Sequence, residues 1–162
     1  MRSLLAIAAL AICTLSTAPQ PAAAQGAQPV IARITPEALA TAMTQAGWKS
    51  KVAVDANSKE KYIEIPFYQG KLNAFIDLFD CTAQGCSFVT FVIVFAASDK
   101  HTLEFANNMN SRVRFVRSYR LDDGRLIILS DVDLTGGVTV RHLQEAGGNF
   151  EGAIGEYLKL AN

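Results

Sequence analysis

Residues 105–139 limit the fold of this chain more than any other stretch, because they encode a β-hairpin enclosed by two helices. Residues 114–121 and 125–134 are both rich in strand-forming side chains, and they flank Asp122-Asp123-Gly124. Asp-Gly between two such runs is a strong signal for a tight hairpin turn. The sequence therefore predicts, in this order, the end of a helix, a strand, a turn, a second strand and the start of a last helix.

The turn also determines which hairpin residues face the core. If Asp123-Gly124 is a two-residue turn, Tyr119 pairs with Ile128, and both side chains face inward. On the same register Arg117 lies on the core side near Ser130, where its charge either passes the edge of the sheet to reach water or meets a carboxylate. We therefore expect Tyr119 inside the protein.

Hydrophobic periodicity predicts the elements around this hairpin. Thr35-Pro36-Glu37 has the threonine cap, first-turn proline and acidic residue of a helix start, and Thr139 is the expected cap of the last helix. Gly147-Gly148 interrupts the apolar stripe of that last helix and is expected to kink or divide it. The strands expected before the hairpin are residues 51–55, 61–68, 72–80 and 87–97, and a helix follows them at residues 102–112.

Two of these strands have a predicted place in the sheet. Pro66 lacks a main-chain N–H, so its strand is expected to lie at an edge or to end there. Residues 87–97 are apolar on both faces, which predicts a central strand covered on each side for part of its length. Together the elements follow the order α-β-β-β-β-α-β-β-α. This order is typical of an α+β fold, a single domain with helices packed on an antiparallel sheet.

The chain begins with the pattern of a secretory signal peptide. Met1-Arg2 supplies a positive charge, residues 4–15 form an apolar run, and Ala22-Ala23-Ala24 is a small-residue cleavage site. We therefore expect cleavage after Ala24, export to the periplasm or the medium, and no membrane span in the mature chain. An uncleaved membrane anchor is the alternative, and it requires about 20 apolar residues. The predicted divisions are a signal peptide (1–24), a flexible N-terminal segment (25–34) and one α+β domain (35–162).

Cysteine usage agrees with export. Cys13 is removed with the leader, which leaves Cys81 and Cys86 in the mature chain. They flank a turn-like tetrapeptide between two expected strands, and opposed residues of a hairpin lie within disulfide distance. The spacing is too long for a C-x-x-C redox site, and no further cysteine remains to complete a zinc site. We predict a structural disulfide.

Composition and motifs give little support to an enzymatic function. Hydrophobic residues make up 50% of the chain and 15 basic residues balance 15 acidic ones, so no basic surface for nucleic acid is expected. The chain lacks a G-x-S-x-G motif, a phosphate-binding loop and a nucleophile beside an activating histidine, and no cofactor is predicted. Asp131 and Asp133, with Asp122, Asp123 and His142, are the candidate ligands of a hard metal ion or zinc. A solvated strand end that pairs with Arg114 is the favoured interpretation of the two aspartates.

Several short motifs in the second half of the chain are shared with a known family. They are Ala106-Asn107 and Asn110, Arg114-Phe115-Val116, Asp122-Asp123-Gly124, Asp131-Val132-Asp133-Leu134 and Gly136-Gly137-Val138-Thr139. With these motifs, and with Gly47-Trp48 after the first helix, the chain resembles the YbjN family of bacterial proteins, loosely described as sensory transduction regulators. The resemblance implies a fold like that of type III secretion chaperones, which bind protein segments, and it implies no catalytic residues.

We interpret the chain as an exported, non-enzymatic binding or regulatory protein of the bacterial envelope that holds a protein or peptide partner. Tyr62, Phe67 and Tyr68, near the edge strand, are the candidate partner surface, which is compatible with strand addition or with homodimerisation. The alternative is a small metal-dependent hydrolase that uses Asp131 and Asp133. A purely structural envelope protein is the third hypothesis, and it predicts no exposed apolar patch.

Overall fold

A six-stranded antiparallel sheet with three helices on one face forms the body of residues 29–161, the part of the chain that this computed structural model describes. In chain order the elements are β1 (Val30–Ile31), α1 (Pro36–Gln45), β2 (Lys51–Val54), β3 (Lys61–Phe67), β4 (Leu72–Thr82), β5 (Gly85–Phe95), α2 (Leu103–Arg112), β6 (Arg117–Arg120), β7 (Leu126–Asp133), β8 (Val138–Thr139) and α3 (Val140–Ala161). A 3₁₀ turn, Tyr68–Gly70, joins β3 to β4. The expected leader and its cleavage site lie outside the described residues.

The strand order in the large sheet is β2-β3-β4-β5-β7-β6. The predicted α+β class and order of elements are therefore confirmed, with β1 and β8 as an additional pair. Ile34 also bridges to Cys86 in β5. The end of the N-terminal segment that was expected to be flexible is thus tied to the domain at two places.

Three threonines begin the three helices. The hydroxyls of Thr35, Thr102 and Thr139 each accept a hydrogen bond from the main-chain N–H three residues later, at 3.2, 3.0 and 3.1 Å. These bonds satisfy main-chain donors that have no partner inside the helix. The predicted caps at Thr35 and Thr139 are confirmed, and short polar side chains thus set the helix boundaries.

The last helix is not divided by its glycine pair. α3 runs through Gly147-Gly148 as one helix of 22 residues. The ring of Trp48 packs so closely on the first glycine that an added Cβ would lie 3.0 Å from the ring. The glycine is therefore needed for close approach between Trp48 and α3, and the expectation of a break is wrong.

The hairpin turn contains three residues, not two. Leu121 N donates to Arg125 O at 2.8 Å, and Gly124 N donates to Leu121 O at 3.0 Å. Gly124 has φ +87°, the left-handed conformation that closes a three-residue loop after a tight turn. Tyr119 therefore pairs with Ile127 rather than with Ile128.

This one-residue shift reverses the faces of β6, because side chains alternate along a strand. Tyr119 and Arg117 lie on the face opposite the helices, whereas Ser118 is buried. The prediction that Tyr119 and Arg117 lie on the core side is wrong, although Arg117 does meet a carboxylate, that of Asp131. The extra loop residue is the physical cause.

The structure agrees with the predicted place of Pro66, and it agrees in part with the predicted place of residues 87–97. In the described part of the chain β2 pairs with β3 only from Lys61 to Glu64, and no strand there pairs with Pro66 on that side, as expected for a proline near an edge. β5 lies between β4 and β7 and is internal. Its second face, however, is left uncovered by the described elements, contrary to expectation.

The core lies between the helices and one face of the sheet. Alternate strand residues point into it, and the largest fully buried side chains come from both layers: Ile63, Ile65, Phe67, Ile76, Phe91 and Ile128 from the sheet, and Leu39, Met43, Met109 and Phe150 from the helices. Burial of such side chains contributes about 1.5–3 kcal/mol each. None of the helices in the described part of the chain has the length and apolarity needed to cross a membrane.

Candidate binding face

The sheet face that points away from the helices has an apolar centre. An antiparallel sheet with one face on the core usually presents polar side chains on the other. Here the second face exposes Phe79 (48%), Val94 (39%) and Tyr119 (42%). We call it the open face and define it by the residues that line a depression of about 730 Å³. They are Phe75, Asp77, Phe79, Phe88, Thr90, Val92, Val94, Arg117, Tyr119, Ile127, Leu129 and Asp131.

The apolar side chains of the open face form a cluster separate from the core. None of them belongs to the core between sheet and helices or packs against it. Phe79 packs edge-on against Phe88, with ring centroids 6.3 Å apart, and Phe75 packs in the same way against Tyr62 at 5.7 Å. The described helices therefore leave apolar side chains of four neighbouring strands, β4, β5, β7 and β6, on the open face.

One ion pair crosses the open face from β6 to β7. The Arg117 guanidinium lies 2.7 Å from the Asp131 carboxylate, which also accepts a hydrogen bond from the Thr90 hydroxyl at 2.7 Å. Arg117 remains largely exposed, so the pair itself contributes little to stability. The Arg117 guanidinium and the Thr90 hydroxyl together bind both carboxylate oxygens of Asp131, and the charge of Arg117 is thereby compensated.

Asp77 is a second carboxylate on this face, and in residues 29–161 it has neither the basic nor the hydroxyl partner that Asp131 has. It pairs in register with Thr90, whose hydroxyl is directed to Asp131. Within residues 29–161, no hydrogen bond or ion pair reaches the Asp77 carboxylate. Burial, and then the negative charge of Glu60, raise the pKa of Asp77 above its ordinary value. The open face thus places a half-buried, uncompensated carboxylate among aromatic and branched side chains.

Comparison with known proteins agrees with this fold. The family model for YbjN, described as "Putative bacterial sensory transduction regulator", matches residues 35–159. The chain belongs to the YbjN family. The matched region runs from the cap of α1 almost to the end of α3, and it therefore includes the whole six-stranded sheet.

A crystal structure of YbjN from E. coli, reported as "a putative transcription regulator", is similar to this structure. The two chains are 16% identical, with a TM-score of 0.55 over 77% of this chain and 91% of that one. At this identity the likeness supports the fold alone. None of the curated proteins compared with the chain matches it.

Tyr62, Phe67 and Tyr68, the predicted partner surface, lie in three different places in the YbjN domain. Phe67 is fully buried in the core, where its ring packs against Trp48 and Phe150. Tyr68 lies on the helix side and donates its hydroxyl to the Glu151 carbonyl at 2.8 Å. Tyr62 alone packs beside the open face. The structure does not bring the three together, and only Tyr62 adjoins the apolar cluster.

The cysteine pair forms a disulfide in the YbjN domain. Cys81 and Cys86 are directly opposed residues of β4 and β5, and a disulfide joins them. Arg33 donates to the main-chain carbonyls of Asp80 and Gly85 beside them, at 2.8 and 3.1 Å. The bridge and these bonds close the end of the β4–β5 hairpin beside the start of α1.

The aspartates of the metal hypothesis are engaged in other contacts. Asp133 accepts hydrogen bonds from Thr135 N at 2.8 Å and from the Thr135 hydroxyl at 2.6 Å, while Asp131 is bound by Arg117 and Thr90. Within residues 29–161, no group of three His, Cys, Asp or Glu side chains is placed to hold a metal ion. The family and this geometry give no support to the hydrolase.

Sequence reasoning missed Asp77 and most of the open face. A signal was present in residues 72–80, where alternation places Phe75, Asp77 and Phe79 on one side of a strand. An aspartate between two phenylalanines is unusual for a face in water and unusual for a core. The apolar run of residues 87–97 was the second signal, but it was interpreted as a strand covered on both sides.

Proposed function

We propose that this member of the YbjN family is an exported, non-enzymatic protein of the bacterial envelope that binds an apolar segment of a partner protein on its open face. The observation that carries the proposal is the apolar centre of a sheet face that no described element covers. Exposed apolar patches on soluble proteins are often interaction sites, since their burial removes them from water.

The open face is also suited to a protein partner by its shape and chemistry. Its depression of about 730 Å³ spans strands β4, β5, β7 and β6, so it is broad rather than deep. Aromatic side chains at its centre offer large contact areas at a small cost in conformational entropy, a property of protein interfaces. A polar rim, such as the Arg117–Asp131 pair, provides orientation at the edge.

The proposal of export rests on the leader pattern of residues 1–24 and on the cysteine pair. Disulfides persist in oxidising compartments and are rare in the cytosol. The Cys81–Cys86 bridge of the structure agrees with that compartment. Cell fractionation of the native host, combined with thiol alkylation before and after reduction, tests this part. Export predicts a shortened chain outside the cytoplasm whose two cysteines react only after reduction.

The proposed binding is tested by crosslinking in the native host with a charge placed on the open face. Val94→Glu puts a carboxylate in the apolar cluster at a position that is 39% exposed, so the fold is expected to tolerate it. Leu103→Glu is the matched control, because Leu103 is 69% exposed and lies on α2, away from the open face. A partner that is captured by the wild type and the control, but lost with Val94→Glu, supports the proposal.

Two results would contradict it. Capture of the same partner by Val94→Glu at wild-type yield would show that the open face is not the site. A folded Val94→Glu variant that retains all effects of the wild-type gene in the host would show that the apolar face has no function in binding. Circular dichroism of each variant confirms folding before either result is interpreted.

A further inference from the structure

The open face contains a charge that the described protein does not neutralise. Asp77 lies on β4 between Phe75 and Phe79, which point in the same direction along the strand. Its carboxylate is half-buried, and in residues 29–161 it has neither a hydrogen-bond donor nor a cation. Removing part of a carboxylate from water without a partner costs free energy, and a cation supplied by a bound segment would offset that cost.

The basic side chains on nearby strands are already engaged. Three of them form ion pairs with other carboxylates: Lys51 with Glu64 at 2.8 Å, Lys61 with Glu37 at 2.6 Å and Arg117 with Asp131 at 2.7 Å. The charge that raises the pKa of Asp77, after burial, is that of Glu60, which is also negative. The face around Asp77 therefore has a local excess of negative charge on an apolar floor.

We infer that the segment which occupies the open face presents a lysine or arginine to Asp77, with apolar side chains on either side of it packed on Phe75, Phe79 and Val94. This inference rests on the proposed function and specifies the chemistry of the partner. A charge-assisted hydrogen bond to a cation compensates the buried carboxylate, whereas a wholly apolar segment would bury it further without a partner.

Charge complementarity favours a different protein over a second copy of this chain. Two open faces packed on each other would bring two Asp77 carboxylates into one apolar layer, and Arg117, the basic residue of the face, is held by Asp131. Burial of like charges without cations is unfavourable. A basic segment of a partner protein has no such conflict.

The test is selection of binding peptides from a random displayed library on the mature, disulfide-bonded protein. We expect the selected peptides to contain a lysine or arginine flanked by apolar residues, and their binding to be competed by one another. For one selected peptide, Asp77→Asn is expected to weaken binding about tenfold, the scale of one charge-assisted hydrogen bond. Asp99→Asn, which removes the same charge from an exposed turn, is the matched control and is expected to bind normally.

A double-mutant cycle identifies the contact. Replacement of the peptide cation by glutamine is expected to remove the effect of Asp77→Asn, because both changes break the same interaction. If apolar peptides without a cation are selected and Val94→Glu abolishes their binding, the inference is overturned while the proposed function stands. If Asp77→Asn weakens the glutamine peptide equally, the inference is also overturned. If no peptide is selected at all, the result counts against the proposed binding function and against the basic segment alike.

Discussion

Asn110 at the end of α2 is hydrogen-bonded to both main-chain groups of Ser118 on the edge strand β6. Its amide nitrogen donates to Ser118 O at 3.0 Å, and its side-chain oxygen accepts from Ser118 N at 2.6 Å. The Ser118 hydroxyl in turn donates to the Ala106 carbonyl at 2.9 Å. One asparagine thus takes the place of a neighbouring strand, and it prevents another chain from pairing with β6 at this point.

We expect Asn110→Ala to destabilise the protein by about 1–3 kcal/mol, because two main-chain groups of Ser118 lose their partners. Asn107→Ala is the matched control, since Asn107 is exposed on the same helix and its replacement by alanine favours the helix slightly. Urea unfolding measures both changes. Amide exchange at Ser118 is expected to accelerate only in Asn110→Ala, and unchanged exchange there would contradict the capping role of Asn110.

The glycine pair of α3 gives a second prediction. Gly147→Ala is expected to lower the free energy of unfolding by about 1–3 kcal/mol because the added methyl group overpacks the site. The better helix propensity of alanine offsets part of this loss. The new methyl group would lie 3.0 Å from the Trp48 ring, which is held in place by its hydrogen bond to Glu151 at 3.0 Å. The ring must move by a few tenths of an ångström to make room, and its hydrogen bond to Glu151 opposes that movement.

Gly148→Ala is the control for this effect, because nothing lies within 4 Å of the position of its added Cβ. It is expected to stabilise the helix by about 0.5–1 kcal/mol. Thermal unfolding and tryptophan fluorescence distinguish the two variants. A stabilised Gly147→Ala with unchanged fluorescence would show that the close packing against Trp48 is not a constraint.

Local sequence signals were sufficient for the fold class and the helix starts. Thr35 and Thr139 identify helix N-termini because a hydroxyl three residues before a free N–H acts within one turn. Asp123-Gly124 identified the hairpin for the same reason. The resemblance of residues 106–139 then indicated the family correctly. These features depend on neighbours along the chain, and they are therefore visible in the sequence.

Features that depend on distant contacts were not predictable in the same way. The turn is local, but Asp122-Asp123-Gly124 is compatible with a loop of two or of three residues, and the longer loop reversed the faces of Arg117 and Tyr119. The core position of Phe67 follows from its alternation with Ile63 and Ile65, whereas the open position of Val94 follows from where the helices pack, since β5 is apolar on both faces. The binding face was missed because alternation shows that a strand has two apolar faces, but not which of them is covered.

The disulfide is predicted to stabilise the β4–β5 hairpin without being required for folding. Loss of the bridge between Cys81 and Cys86 is expected to lower the free energy of unfolding by about 2 kcal/mol. The effect is this small because a short closed loop restricts the unfolded chain only a little. Urea unfolding with and without a reductant measures this cost. The double replacement of both cysteines by serine is the control, because reductant must then have no effect. Complete unfolding of the reduced protein would mean that the bridge is needed to form the sheet.

Ionisation of Asp77 is expected to lower the free energy of unfolding, which is a penalty, whereas ionisation of a salt-bridged aspartate raises it. Burial raises the pKa of Asp77 in the folded protein, so the folded state holds the proton more tightly than the unfolded state. The penalty is therefore absent well below the ordinary aspartate pKa of about 3.9, grows as the pH rises above that value, and is complete above the raised pKa.

Asp77→Asn removes this penalty and is expected to raise the urea midpoint near about pH 7, while the difference from wild type disappears near about pH 3. Asp99→Asn is the matched control for the loss of one negative charge. A midpoint for Asp77→Asn that equals wild type at neutral pH would mean that water reaches the carboxylate freely. A lower midpoint at neutral pH would mean that the folded protein stabilises the charged form, and the open face would then lack the uncompensated carboxylate on which the basic partner segment depends.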